Sequence, residues 1–287
     1  MRRRGGRSPR PTTTASTSRR GPTPTGELRV SGGRELEEVA PGVLVATSRV
    51  MSTTSTVLVG GRDALLVDPA WLPDELDRLA TALHRRGLRV IGGFATHAHH
   101  DHLLWHPRFG RAPRWASAAT ARTAAARRRE LVDALDPGFP PDLVELMGRV
   151  APLVDRIPEE SAPPGVEIEL LVHDGHAPGH TALWPPGPRV LIAGDMLSDI
   201  ELPLPFDPDD LPAYLAGLDL LVDAAAQASL VIPGHGSVGR DARARLDADR
   251  RYLDDMMRRG DSADPRVRNP GMDAEHAHLK RLVSHPG

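Results

Sequence analysis

Residues 96–102 read THAHHDH, four histidines and one aspartate in seven positions of a 287-residue chain that has 13 histidines in all. Neutral imidazole is a preferred nitrogen ligand for zinc, and carboxylate is its usual oxygen partner. The apolar run LRVIGGFA (88–95) leads straight into this segment and reads as a buried strand. Side chains two apart at a strand exit point the same way, so His97 and His99 can hold one cation. Asp101 and His102 continue into a turn and can face a neighbouring position. One loop can therefore begin two metal sites. With no cysteine in the chain, any further ligand must be His, Asp or Glu.

Three other segments offer such ligands where strands end. APGHT places His180 in a Gly–Pro loop, RVLIAGDM places Asp195 at the end of an apolar strand, and SLVIPGHG places His235 at the end of another. Ligands at the carboxyl ends of strands in one sheet converge on one edge of it. Five His and two Asp suit two metals, each with three protein ligands or a shared carboxylate and an open position for water. His100 alternates with the ligand positions and should point away. His106 and His176 are left out of the ligand set, although His176, four residues before His180 in the same loop, could support a ligand from behind.

The elements that must position these residues follow from pattern. GVLVATS, STVLVG and ALLVD are short strands, with a hairpin at 60–63. PDELDRLATALHRRG (73–87) is a helix with Pro at its start, acids in the first turn, Arg in the last and Gly as its stop. Helices are predicted over 118–135 and 139–150, the second with Phe139, Leu143, Leu146, Met147 and Val150 on one face. Strands follow at 166–172 and 189–195, then a helix at about 209–225, a strand at 229–233 and a charged helix at about 240–259. This order predicts layered sheets flanked by helices, an α/β or α+β domain. The piece from 261 to 287 is a polar C-terminal extension.

Residues 1–26 carry seven Arg and no acid, without the apolar stretch of a secretory signal, and read as a disordered basic tail on a cytoplasmic protein. With seven of the 36 basic residues there, the body sets 29 against all 38 acids, a net of −9. A body that acidic is a poor nucleic-acid groove, and no apolar run is long enough to span a membrane. The expected partner is a small-molecule substrate. Trp71, Trp105, Leu202, Leu204 and Phe206 follow site segments and read equally as an apolar wall or as core. A wall would suit an ester, thioester or lactone.

The pattern His97-x-His99-x-Asp101-His102, then His180, Asp195 and His235, resembles the metallo-β-lactamase-fold hydrolase superfamily over about residues 36–240. Asp68 in LLVDPA resembles that family's early strand-end Asp. The resemblance implies a four-layer αβ/βα sandwich with two zinc ions at one edge. His97, His99 and His180 would hold the first ion, Asp101, His102 and His235 the second, and Asp195 would bridge them. Asp68 would support a ligand from behind, and Asp101 would orient the attacking water or move a proton. The implied activity is hydrolysis by metal-activated water. Within the family, Asp195 argues against a true β-lactamase, His99 against the diiron flavoprotein oxidases, the acidic body against tRNA-processing nucleases, and the 51 residues after Gly236 against the glutathione thioesterases, whose C-terminus is longer and basic. A mononuclear iron enzyme like the persulfide dioxygenases is the alternative enzyme, with iron or mixed metal in place of zinc. A non-catalytic metal-bearing protein that binds a partner through its tail is the alternative outside enzymology.

Overall fold

A computed structural model of the chain describes residues 35–284. The basic tail expected over 1–26 lies outside the described residues. The first half contains β1 (Glu37–Ala40), β2 (Val43–Thr47), β3 (Thr54–Gly60), β4 (Asp63–Val67), α1 (Pro73–Arg85), β5 (Arg89–Phe94), β6 (Arg114–Ser117), α2 (Ala118–Ala126), α3 (Arg128–Asp133), α4 (Pro141–Leu146) and β7 (Ala151–Leu153). These seven strands form one sheet in chain order, antiparallel from β1 to β4 and parallel from β4 to β7. The expected hairpin is the two-residue turn between Gly60 and Asp63, with Gly61 left-handed at φ 62°.

The second half contains β8 (Glu169–Val172), β9 (Thr181–Trp184), β10 (Val190–Gly194), α5 (Leu211–Leu220), α6 (Val222–Gln227), β11 (Leu230–Pro233), α7 (Ala242–Arg259) and α8 (Met272–Ser284). Its four-stranded sheet runs β11-β10-β9-β8, with β10 and β11 parallel.

Strand alternation explains the layering. Both faces of the central strands are apolar, so both must be covered. In β4, Leu65 and Val67 face the second sheet while Ala64 and Leu66 face helices of the first half. In β10, Val190 and Ile192 face the first sheet while Leu191 and Ala193 face helices of the second half. Three separate cores result, helix on sheet, sheet on sheet and sheet on helix, which are the three interfaces of a four-layer αβ/βα sandwich.

Several elements differ in extent from their sequence readings. The helix predicted over 118–135 breaks at Arg127 into α2 and α3, and that over 139–150 shrinks to α4. Leu131, Leu135, Phe139, Leu143 and Met147 nevertheless bury against Leu103, Leu104 and Trp105, so this segment is anchored in the first core. The strand over 166–172 keeps only Glu169–Val172, and the helix over 209–225 is the pair α5 and α6. Beyond 261 lies α8, whose Met272 and Leu279 are buried in the second-half core.

Parallel pairing places the site. β4 and β5 end side by side and present Asp68 and the 96–102 loop; β10 and β11 do the same for Asp195 and His235. The halves join along this edge, where Thr54 N–H donates to Gly234 O (2.7 Å) and Thr181 N–H to Thr96 O (2.9 Å).

Candidate metal centre

Asp68 is the buried hub of the site. One oxygen accepts the Thr96 N–H at 2.8 Å. The other accepts the Thr96 hydroxyl at 2.6 Å and the Nδ1–H of His102 at 2.9 Å. The Thr96 hydroxyl proton is committed to Asp68, so its oxygen accepts from His97 Nδ1 at 3.0 Å. A carboxylate cannot donate, so these bonds fix both tautomers. His97 and His102 each turn Nε2 into the site, a bare lone pair when the ring is neutral.

The same logic settles three more rings. His235 Nδ1 lies 3.2 Å from both Met51 O and the Thr53 hydroxyl; the carbonyl can only accept, so Nδ1 donates and Nε2 faces inward. His176 Nδ1 donates to Leu204 O at 3.1 Å, which also bares Nε2. His99 is reversed: its Nε2 donates to Asp207 at 3.1 Å, which bares Nδ1.

These lone pairs face one another. His99 Nδ1 stands 3.0 Å from His97 Nε2 and 3.1 Å from His176 Nε2, and His102 Nε2 stands 3.4 Å from His235 Nε2. With neutral rings in the tautomers above, none of these pairs has a proton to share. Two ligand atoms roughly 2.1 Å from one ion, at angles between 90° and 110°, stand about 3.0–3.4 Å apart, so the spacing is that of atoms around a cation. The carboxylates agree. Asp101 Oδ2 and Asp195 Oδ1 are buried with no hydrogen-bond partner among the described residues. Asp195 Oδ2 lies 3.3 Å from the Nε2 of His97, His176 and His235, and its Oδ1 lies 3.1 Å from His102 Nε2. Two groups able to hold a metal ion emerge: His97, His99, His176 and Asp195, and beside them Asp101, His102 and His235. Gly234 is required here, since a β-carbon on it would strike the Asp195 carboxylate.

The electrostatics divide along the same line. Burial pushes His97 well below the usual histidine range and moves His99 the same way. Burial also opposes charge on His102, but Asp195, Asp101 and Asp68 hold it well above that range; Asp195 and Asp101 do the same for His235, so without a metal both rings carry a second proton, on Nε2, which a bound cation would displace. Both carboxylates stay ionised despite burial because of the neighbouring imidazoles.

Of the residues singled out from sequence, His97, His99, Asp101, His102, Asp195 and His235 converge, and Asp68 backs two of them. His180 lies beside the first group rather than in it. Its Nε2 accepts the backbone N–H of Asp195 at 3.1 Å, and its Nδ1 meets His173 Nε2 at 3.2 Å. His176 takes the inward place, held in a left-handed backbone conformation at φ 69°. A histidine four residues ahead of another in one Gly–Pro loop is the only sequence signal for it. Trp71, Trp105 and Leu202 are core, not wall, and Leu204 and Phe206 pack half-buried on the second-half core. The exposed apolar group next to the site is Met51, 52% exposed, whose carbonyl holds His235.

A family model described as the metallo-beta-lactamase superfamily matches residues 48–235. The chain belongs to this superfamily and has its metallo-hydrolase fold. Among solved structures it is similar to a metallo-beta-lactamase family protein from Thermus thermophilus (22% identity, 86% of this chain and 95% of that one, TM-score 0.60). It is also similar to a beta-lactamase domain protein from Burkholderia ambifaria (22%, 77% and 74%, 0.56) and a metallo-beta-lactamase from Pontibacter korlensis (20%, 74% and 95%, 0.55). At these identities the likeness is one of fold. No curated protein matches the chain. Among the described residues, no helix is long and apolar enough to cross a membrane.

Proposed function

We propose that the chain is a binuclear zinc hydrolase acting on a small ester, thioester or lactone. The observation that carries the reading is Asp195, whose two oxygens reach toward both groups of inward-facing imidazole nitrogens. Divalent cations held by these residues would supply Lewis acidity and an activated water for attack on a carbonyl. The chain's own residues do the rest. Asp68 and Thr96 hold the Nδ1 protons of His97 and His102, which leaves Nε2 of each ring as the atom that would face a cation. Asp101 Oδ2, 3.3 Å from His235 Nε2, is the atom assigned to orient the attacking water and to take its proton. Neither step needs a Ser or Cys nucleophile. Met51, exposed and tied through its carbonyl to His235, supports a substrate of low polarity.

The test is hydrolysis by the zinc-loaded full chain across a panel of esters, thioesters and lactones. Turnover on one class is expected, with loss in Asp195→Ala and His99→Ala and no loss on deleting 1–26. Near-parent turnover in either site variant contradicts the reading. One iron per chain with oxygen consumption on a sulfur substrate would replace it with the dioxygenase alternative.

A further inference from the structure

Four of the five inward-facing imidazoles have their outer N–H held inside the protein, by Thr96, Asp68, Met51 O or Leu204 O. His99 differs. It binds outward through Nε2, its side chain is 27% exposed, and its partner Asp207 comes from the loop between β10 and α5, 108 residues away. Asp207 is held in turn by Arg127 Nη1 at 2.6 Å, and Arg127 Nε holds Glu130 at 2.9 Å. Arg127 sits at the break between α2 and α3. Three segments of the chain are thus joined in series, ring to carboxylate to guanidinium.

We infer that Asp207, oriented by Arg127, is a positioning residue that locks the His99 tautomer and so sets the affinity of the first metal position alone. The inference rests on the metal reading above. A carboxylate acceptor at Nε2 keeps the proton there, leaves Nδ1 as the donor atom and strengthens it as a ligand. As an ion pair, Arg127–Asp207 is too solvated to add much stability, at 41% and 37% side-chain exposure. Its effect falls instead on the ring it orients. The rings of the second position take their outer partners elsewhere, His102 from Asp68 and His235 from Met51 O.

The experiment is zinc binding to the full chain in competition with a chromophoric chelator, for the parent, Asp207→Ala, Asp207→Asn and Arg127→Ala. The parent is expected to bind two equivalents. Asp207→Ala should weaken one of them by about 10–100-fold and leave the other unchanged. Asp207→Asn, which keeps an acceptor oxygen, should recover part of the loss, and Arg127→Ala should lose less than Asp207→Ala. Two equivalents bound with parent affinity in Asp207→Ala overturn the clamp alone. Equal weakening of both equivalents, without rescue by Asn, also overturns it in favour of a general structural role. A parent chain that binds no zinc overturns the metal reading and the clamp together.

Discussion

The Nδ1–H of His102 donates to Asp68 over 2.9 Å, while the other oxygen of that carboxylate takes the Thr96 N–H at 2.8 Å. One buried side chain at the end of β4 therefore sets the tautomer of His102 and, through the Thr96 hydroxyl, that of His97. Asp68→Ala leaves these donors unpaired. The metal-free chain should lose about 1–3 kcal/mol, read by urea denaturation. Zinc affinity should fall roughly 10–100-fold, read by chelator competition. Parent zinc affinity in the variant would contradict this account of Asp68.

Asp195 should link metal binding to stability. In the parent, zinc at a hundredfold excess over its dissociation constant should stabilise the fold by about 2.7 kcal/mol per site. In Asp195→Ala most of this zinc-dependent rise in melting temperature should disappear. A thermal shift equal to that of the parent would show that Asp195 is not shared between the two groups.

His176 and His180 are separated by the same zinc titration. His176→Ala should lose one equivalent, because its Nε2 is 3.1 Å from His99 Nδ1 and 3.3 Å from Asp195 Oδ2. His180→Ala should keep two, because its Nε2 is taken by the Asp195 N–H. The reverse result would return His180 to the inward place that the family pattern assigns it.

Glu201 lies in the loop after Asp195, and burial, aided by Asp195 and Asp101, pushes its carboxyl up to about 7 from an ordinary 4.5. The folded metal-free chain then keeps a proton that the unfolded chain releases. Stability should fall as pH rises through the window from about 4.5 to about 7, by at most about 3 kcal/mol. Glu201→Gln should flatten that fall. Denaturation midpoints of the two metal-free chains at about pH 5 and pH 7.5 decide it; parallel pH dependences would place Glu201 in ordinary solvent.

What was legible in the sequence was what local pattern encodes. His97 and His99 alternate at the exit of an apolar strand, and Asp195 and His235 close two others, so strand periodicity alone brought them to one edge. The groups that choose tautomers were not legible. Asp207 and Met51 reach their histidines across 108 and 184 residues, and no spacing rule signals that. His176 and His180 share one loop, and only backbone conformation decides which turns inward. β6 and β7, of four and three residues, are too short to announce themselves by alternation. Arg127 stops a helix that its neighbours would continue, at the residue whose side chain turns to Asp207.

The measurement that bears most directly on the centre is metal content per chain by inductively coupled plasma mass spectrometry, after expression with zinc and iron both available. Two zinc ions per chain are expected, falling to one in His176→Ala. A chain that holds no metal, even after reconstitution, would contradict the account.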